Sequence, residues 1–146
     1  MSDKAWKQVE RRIARYLGTR RTPLSGGNDG RTRSDSLHSS LFIEVKHGKR
    51  AEAIWRSRKR LLRLFEDTAT KAADEGKVPV VVLHPPRFGG GIGNYPAYVT
   101  TEVYRPAATI GDGRKRKALL LPRNTVVCVP LYEIRHAIPF IEEVPT

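Results

Sequence analysis

The segment Ser34-Asp35-Ser36-Leu37-His38-Ser39-Ser40-Leu41-Phe42-Ile43-Glu44-Val45-Lys46 sets two carboxylates and a lysine around a short apolar run. Residues 41–46 have the composition of a buried or half-buried strand, in which alternate side chains share a face. Phe42, Glu44 and Lys46 then lie on one side, and Leu41, Ile43 and Val45 turn the other way into a core. Asp35 lies nine residues upstream of Glu44, far enough to return beside it on a neighbouring strand or turn. Two acidic groups from different segments make a hard-cation site. Mg²⁺ fits such a site, because it takes one or two carboxylates and leaves the rest of its octahedron to water and phosphate oxygens.

The rest of the composition narrows the partner. The chain has 146 residues, a length that fits a single domain over 1–146 with one sizeable core. Its 27 Lys and Arg against 15 Asp and Glu give a net charge of +12, the footprint of a protein that grips polyanions, and nucleic acid is the leading candidate. No apolar run approaches the roughly 20 residues of a membrane span, and no signal-peptide pattern opens the chain. The expected location is therefore the cytoplasm or nucleoid, or the host cytoplasm if the source is viral. The single Cys128 cannot form an intrachain disulfide and reads as an inert core thiol, and zinc is disfavoured because the four histidines lack ligand spacing.

Working outward, residues 3–17 read as a helix, with Trp6, Val9, Ile13 and Leu17 forming a stripe and Gly18 as its stop. Glu10 falls about 40° from Trp6 on this wheel, inside the apolar stripe, so it needs a partner. Arg11, Arg12 and Arg15 take the opposite side, toward solvent or phosphate. Residues 19–24 read as a short strand, and Ser25 to Arg33 as a Gly- and Asn-rich loop in which Arg31 and Arg33 suit either a phosphate-gripping flap or a plain surface loop. Residues 51–75 contain no Gly or Pro and keep helical spacing up to Gly76, reading as one long helix. Arg56, Lys59, Arg60 and Arg63 gather on its other face, for solvent or phosphate. Val78 to His84 reads as a second buried strand, completing a crossover unit. The loop 85–94 has a Gly run but lacks the Gly-Lys-Ser/Thr ending of a phosphate-binding loop, so no nucleotide cofactor is expected. Further strands are expected at 96–104, 117–121 and 125–129, and a short helix or turn at 131–138. The run Arg114-Lys115-Arg116-Lys117 reads as a backbone-gripping finger or a solvated hairpin tip.

A helix with an inward Glu10-Arg11, a loop with Ser25-Gly26, then Asp35, then Glu44-Val45-Lys46 on a strand, followed by a helix and a strand, resembles the PD-(D/E)XK nuclease superfamily. Within it the pattern is most similar to the archaeal-type Holliday junction resolvases, which also occur in phages. The likeness spans residues 3–84, with Ser34 standing where the superfamily name has Pro. It implies an α/β, single-domain restriction-endonuclease-like fold, a central mixed sheet flanked by helices. It also implies a Mg²⁺-dependent endodeoxyribonuclease, with Mn²⁺ as a substitute, in which Asp35, Glu44 and the Val45 carbonyl hold the metal and Glu10 completes the site directly or through a bound water. Lys46 would orient the attacking water and stabilise charge, and Arg11, Arg21 and Ser25 would contact phosphates near the cut. The implied products carry 5′-phosphate and 3′-hydroxyl ends, and the implied substrate is four-way junction DNA in recombination and repair. Paired cuts in a junction call for two sites related by symmetry, hence a homodimer. Ile134, Ile138, Phe140 and Ile141 are apolar material for that interface or for the monomer core.

Each residue also has a bland account. Glu44 and Lys46 suit a surface ion pair, Glu10 suits a pair with an arginine across the core, and Asp35 suits a turn. His38 and His47 flank the motif but are left out of the catalytic set. A relative acting on duplex or flap DNA is an alternative within the class. Outside it stands a non-catalytic nucleic-acid binder, against which count the 11 aromatic residues without an RNA-recognition pattern.

Overall fold

The computed structural model describes residues 3–22, 34–100, 118–120 and 125–143. The chain builds α1 (Asp3–Tyr16), β1 (Leu41–His47), α2 (Gly48–Trp55), α3 (Arg58–Glu75), β2 (Val78–His84), a 3-10 turn (Ile92–Asn94), β3 (Pro96–Thr100), β4 (Ala118–Leu120), β5 (Thr125–Pro130) and α4 (Leu131–Glu143). The five strands form one mixed sheet in the order β1-β2-β3-β5-β4. β1 and β2 run parallel, from Leu41 opposite Val78 to His47 opposite His84, and the remaining pairs are antiparallel. This is the expected α/β architecture, a central mixed sheet with helices on both faces, compatible with the restriction-endonuclease-like fold.

Strand alternation sorts the core into two layers. Leu41, Ile43, Val80, Val82, Ala97, Val99, Val127 and Val129 pack with Val9 and Ile13 of α1, Leu17 just after it, and Leu131, Ile134 and Ala137 of α4. On the other face Val81, Leu83, Tyr98 and Val126 meet Ala51 and Ile54 of α2 and Leu61 and Phe65 of α3. Glu44 and Lys46 share the α2/α3 face with Phe42, which is fully buried. With helices covering both sides, the apolar alternation on β1 does not separate an inside from an outside.

Several boundaries differ from the sequence expectation. The long helix over 51–75 is two helices, because Ser57 is extended and its side chain accepts from the Arg60 N–H, starting α3 afresh. Gly76 then stops α3 in the left-handed region at φ 66°. Of the strand expected at 19–24, the described residues 19–22 supply a single antiparallel bridge, Arg21 to Ser36, and residues 23–24 lie outside the described residues. α4 runs on to Glu143 and is a full helix. The Gly-rich loop 85–94 packs down: Phe88 meets Tyr95 edge-on at 5.5 Å, and a Cβ on Gly93 would stand 3.0 Å from the Tyr16 hydroxyl. Ile134 is fully buried in the core and Ile138 packs against it, so both close the monomer. The side chains of Phe140 and Ile141 lie outside the described residues. Cys128 is half-buried beside the α2/α3 layer. Among the described residues no helix is long and apolar enough to cross a membrane.

β1 is an edge strand, and residues 34–36 cover part of that edge. The Ser34 hydroxyl donates to the Ile43 carbonyl at 3.1 Å and accepts from the Ile43 N–H at 2.8 Å, imitating a paired strand residue. Its own carbonyl accepts from the Thr22 hydroxyl at 2.7 Å. Ser34 is thus a latch between this segment and β1. Ser34→Ala leaves the buried Ile43 N–H without that acceptor and is expected to cost about 1–3 kcal/mol of unfolding free energy in urea titration. A loss below roughly 0.5 kcal/mol, the scale of an ordinary surface change, would show that the latch carries no weight.

Candidate functional site

The same edge positions the acidic residues. The Asp35 N–H donates to the Ile43 carbonyl at 2.8 Å and its carbonyl accepts from the Thr22 N–H at 3.1 Å, which fixes the backbone on both sides. Its Oδ2 accepts from the Val45 N–H at 2.7 Å. Because the N–H and C=O of one strand residue point the same way, the Val45 carbonyl faces the same edge as Asp35. Glu44 and Lys46 sit on either side of Val45, and Lys46 Nζ lies 2.9 Å from Glu44 Oε1 with both side chains under one-fifth exposed. Glu10 arrives from α1, 5% exposed, and accepts from Arg21 Nε at 3.3 Å. Arg21 also lies over the Trp6 ring at 5.3 Å, so α1 and the 20–22 segment are tied together beside the acids.

Burial and mutual repulsion shape the electrostatics. The Asp35 carboxyl is pushed up to about 8, first by loss of water, then by the charges of Glu44 and Glu10, against the pull of the Val45 hydrogen bond and Lys46. Glu10 is pushed up to about 7, chiefly by burial, although Arg21 opposes the rise. The three acids therefore feel one another, and the two cations already present do not fully offset them. Among the described residues no three Asp, Glu, His or Cys side chains converge to hold a metal ion. Asp35, Glu44 and the Val45 carbonyl offer hard oxygens of the kind that Mg²⁺ takes, within the one or two carboxylates that this ion uses. Glu10 is engaged by Arg21 and belongs to the outer ring of this group.

The basic residues divide. Arg60 and Arg63 line a cleft of about 390 Å³ that also contains Glu44 and Lys46. Arg50 and Lys71 line the same cleft and were missed, although Arg60, Arg63 and Lys71 recur at helical spacing and so carried a readable signal. Lys59 and Arg11 are exposed, on α3 and α1. Arg21 and Arg56 are not free cations, since each is spent on an ion pair, Arg21 with Glu10 and Arg56 with Glu52 at 2.8 Å. Ser25, Arg31, Arg33, Arg114, Lys115, Arg116 and Lys117 lie outside the described residues.

The two histidines beside the motif differ. His38 is buried and its Nδ1 accepts from the Ser40 and Leu41 N–H groups at 3.0 and 3.1 Å, a turn-forming role. His47 ends β1 and meets His84 at the end of β2, Nδ1 to Nδ1 at 2.8 Å with ring planes 7° apart. Both are held below the usual histidine range, by loss of water first and then, for His84, by His47 and Arg12, and for His47 by Arg12. The pairing follows from strand register and could not be read from residues 37 apart in sequence.

The raised acids give a signed pH dependence. Asp35 ionises near 4 in the unfolded chain and near 8 in the fold, so its contribution is fully present below about pH 4 and is lost as the pH rises through about 8. In EDTA, Asp35→Asn is expected to match the wild type near pH 4 and to melt about 3–6 °C higher at pH 8, roughly 1–2 kcal/mol for a domain of this size. Equal melting temperatures at both pH values in differential scanning fluorimetry would contradict a buried, repelled carboxylate. No protein-family model, no curated protein and no solved structure matches the chain, so the site is read from its own geometry.

Proposed function

We propose that the chain is a Mg²⁺-dependent, structure-selective DNA endonuclease of the Holliday junction resolvase type, working as a homodimer. One observation carries the reading: Asp35 is hydrogen-bonded to the strand residue that separates Glu44 from Lys46, which brings two acids and an ammonium to one partly buried edge. An ion pair for stability alone gives no reason to bury a second and third carboxylate beside the first, because each added negative charge opposes folding. The net charge of +12 supplies the long-range attraction for DNA.

In this reading Asp35, Glu44 and the Val45 carbonyl would hold Mg²⁺, which supplies an acidified water and neutralises charge on the phosphate. The protein's own part is positional. The latch at Ser34 and the Val45 hydrogen bond keep Asp35 from turning away. Lys46, 2.9 Å from Glu44, presents its ammonium where a phosphate oxygen would gain charge during attack. Glu10, held by Arg21, adds negative potential behind the group and favours a bound cation. Phosphate contacts by Arg11 and Lys59 belong to the same proposal.

A second reading has its own observation: Glu10 and Glu44 each already have a cationic partner within the chain, as a non-catalytic DNA binder would allow. One experiment separates the two. On labelled four-way junction, linear duplex and flap DNA, wild type with Mg²⁺ is expected to nick the junction symmetrically, and EDTA to stop it. Asp35→Asn and Glu44→Gln should each slow cutting at least about 100-fold while junction binding in EDTA is kept. Cutting by Asp35→Asn at the wild-type rate would remove the proposed site, and binding without cutting under any divalent metal would favour the binder.

A further inference from the structure

The cleft between α2 and α3 opens directly onto Glu44 and Lys46 and runs along α3 past Arg60 and Arg63 to Lys71, with Arg50 contributed by α2. Arg50, Arg60, Arg63 and Lys71 form no ion pair among the described residues, unlike Arg21, Lys46, Arg56 and Lys77. Five cations, with Lys46, face the two carboxylates of Glu44 and Asp67 across one concave space, and the excess positive charge is relieved by an anion. Guanidinium groups match phosphate oxygens with two parallel hydrogen bonds, which makes phosphate the fitting anion.

Size and direction select among phosphate ligands. At about 390 Å³ the cleft is on the scale of a small-ligand pocket, a size that suits nucleotide units of one strand. From Arg60 to Lys71 it follows about 16 Å of helix, longer than one phosphate needs and suited to a backbone laid along it. Asp67 and Thr68 put acceptor oxygens among the cations, where sugars and bases offer donors, and Ile54 and Leu64 give the wall apolar patches. We infer that this cleft binds a single, unpaired nucleic-acid strand, the one that continues from the phosphate at Glu44 and Lys46. The inference rests on the nuclease reading for that phosphate. It narrows the substrate class to DNA whose strand leaves its duplex beside the cut, as at an exchanged strand or a flap.

The test is fluorescence anisotropy in EDTA, where nothing is cut, using a labelled oligothymidylate of roughly 12 nucleotides and a blunt duplex of the same length. Wild type should hold the single strand at least about 10-fold more tightly than the duplex. Arg60→Ala with Arg63→Ala should weaken the single strand about 10-fold or more and the duplex about 2-fold or less. Both arginines are exposed, so the core is untouched. A charge-matched pair away from the cleft, Lys77→Ala with Arg135→Ala, should change either ligand about 2-fold or less. Equal or tighter binding of the duplex, or equal losses from the two double variants, would overturn the cleft and leave only diffuse attraction. Tight binding of inorganic phosphate alone, competing fully with the oligonucleotide, would also overturn a strand site. These outcomes are independent of the nuclease reading, which stands or falls on cutting by Asp35→Asn.

Discussion

The seven-residue parallel pairing of β1 with β2 is the constraint on which the rest of the molecule turns. A parallel pair needs a crossover, and here α2 and α3 supply it, which sets both helices on one face of the sheet. The same pairing fixes the phase of β1, so Glu44 and Lys46 rise on the face those helices cover. With its inner edge committed to β2, β1 offers only its outer edge to the 34–36 segment. Asp35, Glu44 and the α2/α3 cleft are therefore consequences of one register.

That register carries an energetic tension. Buried carboxylates are tolerated only where partners offset the loss of water, and here Arg21, Lys46 and the Val45 N–H share that task without completing it. The Ser34 latch and the two backbone bonds of Asp35 hold the acid where repulsion would otherwise turn it outward. A fold optimised for stability alone would place an amide or an apolar residue at position 35. Sites that must meet a charged ligand commonly keep such a local deficit.

What the sequence reveals, and what it hides, follows the range of the interactions involved. The Glu-x-Lys strand, the inward phase of Glu10 and the stop at Gly18 are local patterns, and the structure shows each of them. Ser57 hides as a helix start because the apolar spacing continues through it, although a serine three residues before Arg60 is itself a capping signal. Residues 19–24 look like a strand by composition, yet only Arg21 finds a bridging partner within the described part. Arg21 and Arg56 read as free cations because a sequence does not tell which arginine a carboxylate will claim. Ile134 shows the same ambiguity for an apolar residue, which serves a core or an interface equally well until its neighbours are known.

The meeting of His47 and His84 couples the two strand ends through a single hydrogen. Two Nδ1 atoms at 2.8 Å share one proton, so one ring donates and the other accepts. With both rings neutral, the donor ring then bears its lone pair on Nε2 and the acceptor ring bears its hydrogen there. The pair as a whole presents one donor and one acceptor outward, and exchanging them takes the shared proton across together with a proton lost at one Nε2 and gained at the other. Neither tautomer is chosen alone: whatever fixes the Nε2 of one ring dictates the Nε2 of the other, across two strands that the chain joins only through α2 and α3.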